Sequence, residues 1–238
     1  MLKDLLFNAV KNNKYHEVQL LLKKFKGIDI NSCSNDHGET LLFVAALHGY
    51  VYVVRTLLVH GGIDVNKGIN GGYTPLYIAS QEGHDEVVRI LLDHDDINAN
   101  QSTTDEGLTP LLIASYKGNN PVVYLLLNHD GIKPNQGTTN EGVTSLIMAS
   151  SNGHSIIVSM LLEHKDTDPN KGTTDNGYTP LLAASYNGYG NVVKKLLDHN
   201  GIDANQQDKY GATPLYVASQ NGHNEIMSIL RGHLNKHK

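Results

Sequence analysis

Six glycines, Gly38, Gly72, Gly107, Gly142, Gly177 and Gly211, recur at intervals of 34 or 35 residues. Self-similarity at this period is the signature of an array in which one supersecondary unit is stacked on the next. Residues 72–106, GYTPLYIASQEGHDEVVRILLDHDDINANQSTTDE, give the unit most clearly. Thr74 is placed to cap a helix N-terminus, and Pro75 follows where its fixed φ helps and its missing N–H does no harm. Gly83 supplies a conformation that ends a helix, so the first helix is predicted over Pro75 to Glu82. A second helix is predicted from His84–Asp85 onward, and its Val87, Val88, Ile90, Leu91 and Leu92 form an arc too wide for one partner surface. From Asp95 the chain turns polar, rich in Asn, Asp, Thr and Gly, which favour turns.

A single unit cannot hold this shape. Ordering the backbone costs about 1–2 kcal/mol per residue, whereas each buried Leu or Val contributes about 1.5–3 kcal/mol. Neighbouring copies must therefore cover each other, and stability accumulates along one axis. The repeats run without a linker, so one domain over 1–238 is expected.

The pattern Gly-x-Thr-Pro-Leu-x-x-Ala, then Gly-His-x-x-Val-Val-x-x-Leu-Leu, then Asp-x-Asn resembles the ankyrin repeat over nearly the whole chain. The resemblance implies an all-α ankyrin-repeat solenoid of stacked antiparallel helix pairs with β-hairpin finger loops, and a concave surface that binds other proteins. On this basis the chain divides into an N-terminal cap repeat (1–37), internal repeats (38–71, 72–106, 107–141, 142–176, 177–210) and a C-terminal cap repeat (211–238). Two departures stand out. The family's usual His after Thr-Pro-Leu is Phe43, Tyr77, Leu112, Ile147, Leu182 or Tyr216 here. The period also exceeds the usual 33, which implies slightly longer fingers.

The first copy lacks Thr-Pro-Leu. Leu5, Leu6, Ala9 and Val10 are assigned to its first helix and Val18, Leu20, Leu21 and Leu22 to its second, while Lys11, Lys14, Lys23, Lys24 and Lys26 suit a cap that meets water. In later copies, Asn120–Pro121 reads as a cap and first-turn pair, and Ser145 stands in for the usual proline. The last copy is expected to end after Ile226, Met227, Ile229 and Leu230 in a frayed polar tail from His233 to Lys238. A formal charge of −5 with both signs interspersed, and no basic stripe with interleaved aromatics, argue against nucleic acid as a partner. No segment is apolar enough to span a membrane. Cys33 is the sole cysteine, so a reducing, cytoplasmic compartment is the natural expectation, extending to a host cytoplasm for a secreted effector.

The recurrent side chains do not assemble a reactive centre. His60, His94, His129, His164 and His199 recur once per copy at the end of the second helix, and His84, His154 and His223 form another row. Helices pack about 8–10 Å apart, too far for equivalent rings to share one metal ion. The first row is instead expected to cap helix C-terminal carbonyls. Ser80, Ser115, Ser150, Ser185 and Ser219 repeat as packing residues rather than as one activated nucleophile, and Cys33 near His37 is not a triad. There is no phosphate-cradling glycine loop. No cofactor and no metal are expected. Asn31, Asn66, Asn100, Asn135, Asn170 and Asn205 form a ladder suited to satisfying loop backbone. Ankyrin families also include substrates of asparaginyl hydroxylases, and Leu58 with Asp64-Val65-Asn66, or Leu197 with Asp203-Ala204-Asn205, resembles that target pattern.

The resemblance also indicates where partner choice resides: the finger residues around each anchoring glycine and the two residues before the glycine that ends helix one. The first two copies contribute Asp36, His37, Glu39, Leu47 and His48, with Asn70, Tyr73, Gln81 and Glu82. The candidate set continues through Asp105, Glu106, Leu108, Tyr116 and Lys117, then Val143, Ser151 and Asn152. Tyr178, Tyr186, Asn187, Tyr210, Gln220 and Asn221 complete it. Tyrosine is enriched at binding hot spots. The reading is a monomeric, non-enzymatic scaffold or adaptor for an unidentified protein partner. The alternatives are the targeting module of a larger enzyme or secreted effector, and a hydroxylase substrate at Asn66 or Asn205.

Overall fold

The computed structural model of the chain describes residues 2–25, 27–35 and 37–236. Lys26 of the expected basic cap, Asp36 of the expected first finger, and His237 and Lys238 of the expected tail lie outside the described residues. The chain divides into two compact units, Met1–Asp105 and Glu106–Lys238. The first contains α1 (Leu2–Lys11), α2 (Tyr15–Lys24), a 3₁₀ turn (Ile30–Ser32), α3 (Leu41–Leu47), α4 (Val51–Leu58), α5 (Pro75–Glu82) and α6 (Asp85–Leu92). The second contains α7 (Pro110–Lys117), α8 (Asn120–Leu127), α9 (Ser145–Ser151), α10 (Ser155–Glu163), α11 (Pro180–Asn187), α12 (Gly190–Leu197), α13 (Pro214–Gln220) and α14 (Asn224–Lys236). Within each unit the first helices of successive hairpins pack together, and so do the second helices.

Local chemistry sets these boundaries. The hydroxyl oxygens of Thr40, Thr74, Thr109, Thr144, Thr179 and Thr213 each accept the backbone N–H three residues on, satisfying one of the orphan donors of the first helix. Thr144 does so ahead of Ser145, so the helix starts there without proline. Second helices begin differently. No side-chain cap bond forms at His84, Asn119, His154 or Tyr189; these residues lie near φ −80°, ψ 75°, and the next N–H bonds the glycine carbonyl two residues back. That is an inverse γ-turn. Asn120 is accordingly the first helical residue, with Pro121 in the first turn, and not the cap.

The core follows the paired faces. Leu76, Ala79, Val88 and Leu91 are fully buried in the first unit, as are Leu112, Ala114, Val123, Leu126, Leu161 and Leu196 in the second. The position where the family carries His is filled by buried Phe43, Tyr77, Leu112, Ile147 and Leu182, and at the four of these with purely apolar side chains packing stands in place of a hydrogen bond.

The expected β-hairpin fingers are only partly formed. The loops close on few backbone bonds, such as Thr138 N–H to Val143 O and Gly142 N–H to Thr138 O. Among the described residues only an isolated bridge, Ser34 with Thr40, has β pairing. Successive fingers are instead tied to one another: Thr104 N–H donates to Gly71 O in the first unit, and Thr174 N–H to Glu141 O and Lys209 N–H to Asn176 O in the second.

The ends also depart from expectation. In the first copy Leu6, Ala9, Val10, Val18 and Leu22 are buried, but Leu5 and Leu20 are exposed. In the last copy His233 to Lys236 are no frayed tail, because α14 continues through Lys236. Asn224, Glu225, Ser228 and Arg231 face solvent on it as expected.

Candidate binding surface

In α3, α5, α7, α9 and α11 the first helix of the hairpin is almost wholly buried, as in α7, where Pro110 to Ser115 are all enclosed. Its last two residues emerge. Tyr116 is 47% and Tyr186 52% exposed, beside Lys117 and Asn187. Their backbone is nevertheless fixed, because imidazoles of the next copy reach back to it. His154 Nε2–H donates to Tyr116 O at 3.1 Å and His223 Nε2–H to Tyr186 O at 2.9 Å, as His84 does to Leu47 O in the first unit. Carbonyls only accept, so the ring must carry its proton on Nε2. The glycine just past these residues makes room for the ring: a Cβ on Gly118 or Gly188 would lie 2.7 or 2.8 Å from it. Where Tyr189 replaces His, its ring covers Gly153 in the same way. The result is a pair of half-exposed aromatics on an immobilised turn.

Other candidate residues are distributed unevenly. Lys117 lies over the Tyr116 ring and Lys209 over that of Tyr210, which is 77% exposed. Ser151 and Asn152 at the end of α9, with Gln220 and Asn221 at the end of α13, occupy the positions equivalent to Tyr116–Lys117, the two asparagines as C-caps. The amides of Asn152, Asn187 and Asn221 donate to Met148 O, Ala183 O and Val217 O, which commits them to their own helix ends. In the fingers Glu106 is exposed, with Leu108 and Val143 half-buried. Tyr178 is half-buried too; burial first, then the neighbouring Tyr186 and Asp208, pushes its phenol up to about 12. In the first unit Tyr73 is largely structural: its hydroxyl donates to Asp105 and its ring meets Tyr77 edge-on. Gln81 donates to Glu82.

The histidines at the ends of second helices behave differently from expectation. His94, His164 and His199 do not cap carbonyls; their Nδ1 accepts the backbone N–H two residues on. His60 Nδ1 faces Gly61 O instead. The asparagine ladder links copies. Asn66 donates to Asp96 O and accepts from Asn98 N–H, so both ends of its amide are engaged. Asn205 is exposed, and among the described residues its side chain has no protein partner.

Several exposed apolar groups escaped the sequence reading. Tyr52, Tyr124 and Ile156 project from second helices, and Tyr216 from α13. Aligning the copies exposes the signal, since Tyr124 stands where other copies have Arg89, Ser159 and Lys194, and Ile156 where they have Glu86 and Asn191.

Among the described residues no three His, Cys, Asp or Glu side chains gather to hold a metal ion, and no helix is long and apolar enough to cross a membrane. Ser115, Ser150 and Ser185 are fully buried without a hydrogen-bond partner, as packing residues and not as nucleophiles. Cys33 is buried, and its thiol donates to Asp29 O at 3.6 Å.

Capped two-helix hairpins, stacked through like helices and joined by polar fingers, define a helical-repeat interaction fold. The profile described as Ankyrin repeats (3 copies) matches residues 6–103, 96–173 and 165–238, and the chain belongs to that family. No curated protein sequence matches it. Among solved structures it resembles the ankyrin repeat domain of Bcl-3, described as a unique member of the IkappaB protein family, with a TM-score of 0.85 and 25% identity over 95% of this chain and 97% of that one. In all 502 solved chains match, so structural likeness alone does not single out a partner. Ankyrin repeats generally mediate protein–protein interaction.

Proposed function

We propose that this protein is a non-enzymatic interaction scaffold that binds a partner polypeptide through the exposed ends of its first helices and the adjoining fingers. In the second unit the surface comprises Tyr116 and Lys117, Ser151 and Asn152, Tyr186 and Asn187, then Gln220 and Asn221, with Glu106, Leu108, Val143, Tyr178 and Tyr210 from the fingers. In the first unit Gln81, Glu82, Tyr73 and Asp105 are the counterparts. The observation that carries this reading is the state of Tyr116 and Tyr186: half exposed, yet on carbonyls clamped by His154 and His223. Anchors already fixed in place lose little conformational freedom on binding. A monomeric protein in a reducing, cytoplasmic setting fits this role. Affinity capture with mass spectrometry, comparing the natural protein with Tyr116→Ala/Tyr186→Ala, tests it. A partner retained equally by both, at unchanged thermal stability, removes the tyrosines from the interface.

A second reading makes Asn66 or Asn205 the substrate of an asparaginyl hydroxylase, and the engagement of Asn66 favours Asn205. Intact mass after incubation with such an enzyme decides it by the gain of one oxygen atom or its absence.

A further inference from the structure

Asn31, Asn66, Asn135 and Asn170 grip the loop of the following copy in one manner. The amide donates to a backbone carbonyl, and its oxygen accepts the N–H two residues later: Gly62 and Asp64 for Asn31, Asp96 and Asn98 for Asn66. Asn135 takes Asp166 and Asp168, and Asn170 takes Gly201 and Asp203. The gripped segments are Gly62-Ile63-Asp64, Asp96-Ile97-Asn98, Asp166-Thr167-Asp168 and Gly201-Ile202-Asp203. All share a β-branched residue followed by Asp or Asn, and that side chain in turn accepts the N–H two residues on, which fixes the segment as an Asx turn.

Asn205 is the equivalent residue of the sixth copy, but α14 runs straight on where a seventh such loop would lie. Beside it opens a groove of about 850 Å³ between the end of α12 and the last turns of α14. Leu197, Ile202, Ala204, Leu215 and Leu234 supply its apolar lining, and Arg231 and Lys236 its two cations against one carboxylate, Asp198. In a chain of formal charge −5 this pairing of cations with an open backbone clamp is a local feature.

We propose that Asn205 and this groove bind an extended acidic segment of a partner polypeptide, of the pattern Gly/Asp–Ile/Thr–Asp/Asn. The occupied clamps show what backbone the amide takes, and the aliphatic residue and carboxylate of such a segment match the groove lining and the nearby cations. Recognition through main-chain bonds, with side chains adding specificity, is a common mode for extended peptides. This site is separate from the tyrosine row and does not rest on it.

The test is fluorescence polarisation of the full chain with a labelled Asn-Gly-Ile-Asp-Ala-Asn peptide. Saturable binding is expected, weakened about tenfold by Asn205→Ala, which removes two neutral hydrogen bonds. Arg231→Glu, or Asp→Lys in the peptide, should weaken it as well, while Tyr116→Ala/Tyr186→Ala leaves it unchanged. Circular dichroism confirms that each variant is folded. The proposal is overturned by absence of saturation up to about 1 mM, by equal affinity for folded Asn205→Ala, or by heparin displacing the peptide from wild type and Asn205→Ala alike, which would mark a mere polyanion patch. Concentration-dependent self-association lost in Asn205→Ala would assign the groove to a second copy of the chain and equally overturn it.

Discussion

His154 reaches across the interface between two copies to the carbonyl oxygen of Tyr116, and the same ring lies where a Cβ on Gly118 would be 2.7 Å from its Cε1. Gly118 therefore answers two demands, a φ of +79° and clearance for the imidazole. Gly222 has a φ of +71° but nothing within 4 Å of its Cβ position, so it answers only the first. Gly222→Ala is expected to cost about 1–2 kcal/mol for the left-handed backbone. Gly118→Ala should cost at least about 1 kcal/mol more through overpacking. Equal losses in urea unfolding would show that the ring yields freely.

Stability and binding should separate between core and surface. Leu126 is fully buried in α8, and Leu126→Ala should cost about 2–5 kcal/mol. The Tyr116→Ala/Tyr186→Ala pair, half exposed, should leave the melting transition nearly unmoved while weakening partner capture. Calorimetry and capture on the same preparations check both.

The asparagine clamps predict unequal costs for one kind of substitution. Asn170→Ala removes two bonds to the next copy and should destabilise by about 1–3 kcal/mol. Asn205→Ala removes none and should stay within about 0.5 kcal/mol. Chemical unfolding of the two variants side by side is the measurement.

Tyr178 should titrate late. Its phenol is pushed up to about 12 by burial, with Tyr186 and Asp208 adding to it, against about 10 in an unfolded chain. The neutral form is thus favoured in the folded state. Its contribution is complete below pH of about 10 and is lost as pH rises towards about 12, where the unfolded chain has already released the proton. Tyr178→Phe should consequently lose less stability than wild type over that interval. The difference between their tyrosinate absorbance titrations should place the missing phenol at the alkaline end.

Cys33 should be nearly inert to a thiol reagent until the fold opens. Burial raises its thiol pKa above the usual value, with Lys3 acting in the opposite direction and Asp29 reinforcing the rise. Modification with a chromogenic disulfide should track unfolding, and rapid reaction under native conditions would contradict the buried environment.

The sequence carried some of this to the residue and other parts hardly at all. Thr74, Pro75 and Gly83 delimit α5 as predicted, because capping and left-handed turns are governed by two or three adjacent residues. The fingers were harder: their glycines announce turns, but how many ladder bonds form depends on the next finger, as between Thr174 and Glu141. The role of His94 was inverted for a similar reason, since an imidazole can donate or accept and only its neighbours decide. Tyr77 and Tyr216 share one identity and one place in the repeat, yet are 2% and 56% exposed, so residue type and repeat position do not by themselves fix burial. Within the candidate surface Tyr116 and Tyr186 were legible as outward residues, whereas the hydrogen bonds of Tyr73 to Asp105 and of Asn152 to Met148 needed coordinates.

α14 runs without interruption past His233. In earlier copies the backbone swerves at the corresponding histidine, and the swerve makes the shelf on which the next hairpin is built. A straight rod offers no shelf. A hairpin stacked on α14 as the earlier copies stack on theirs would need the chain to turn aside at His233, and so the last turn of α14 to unwind.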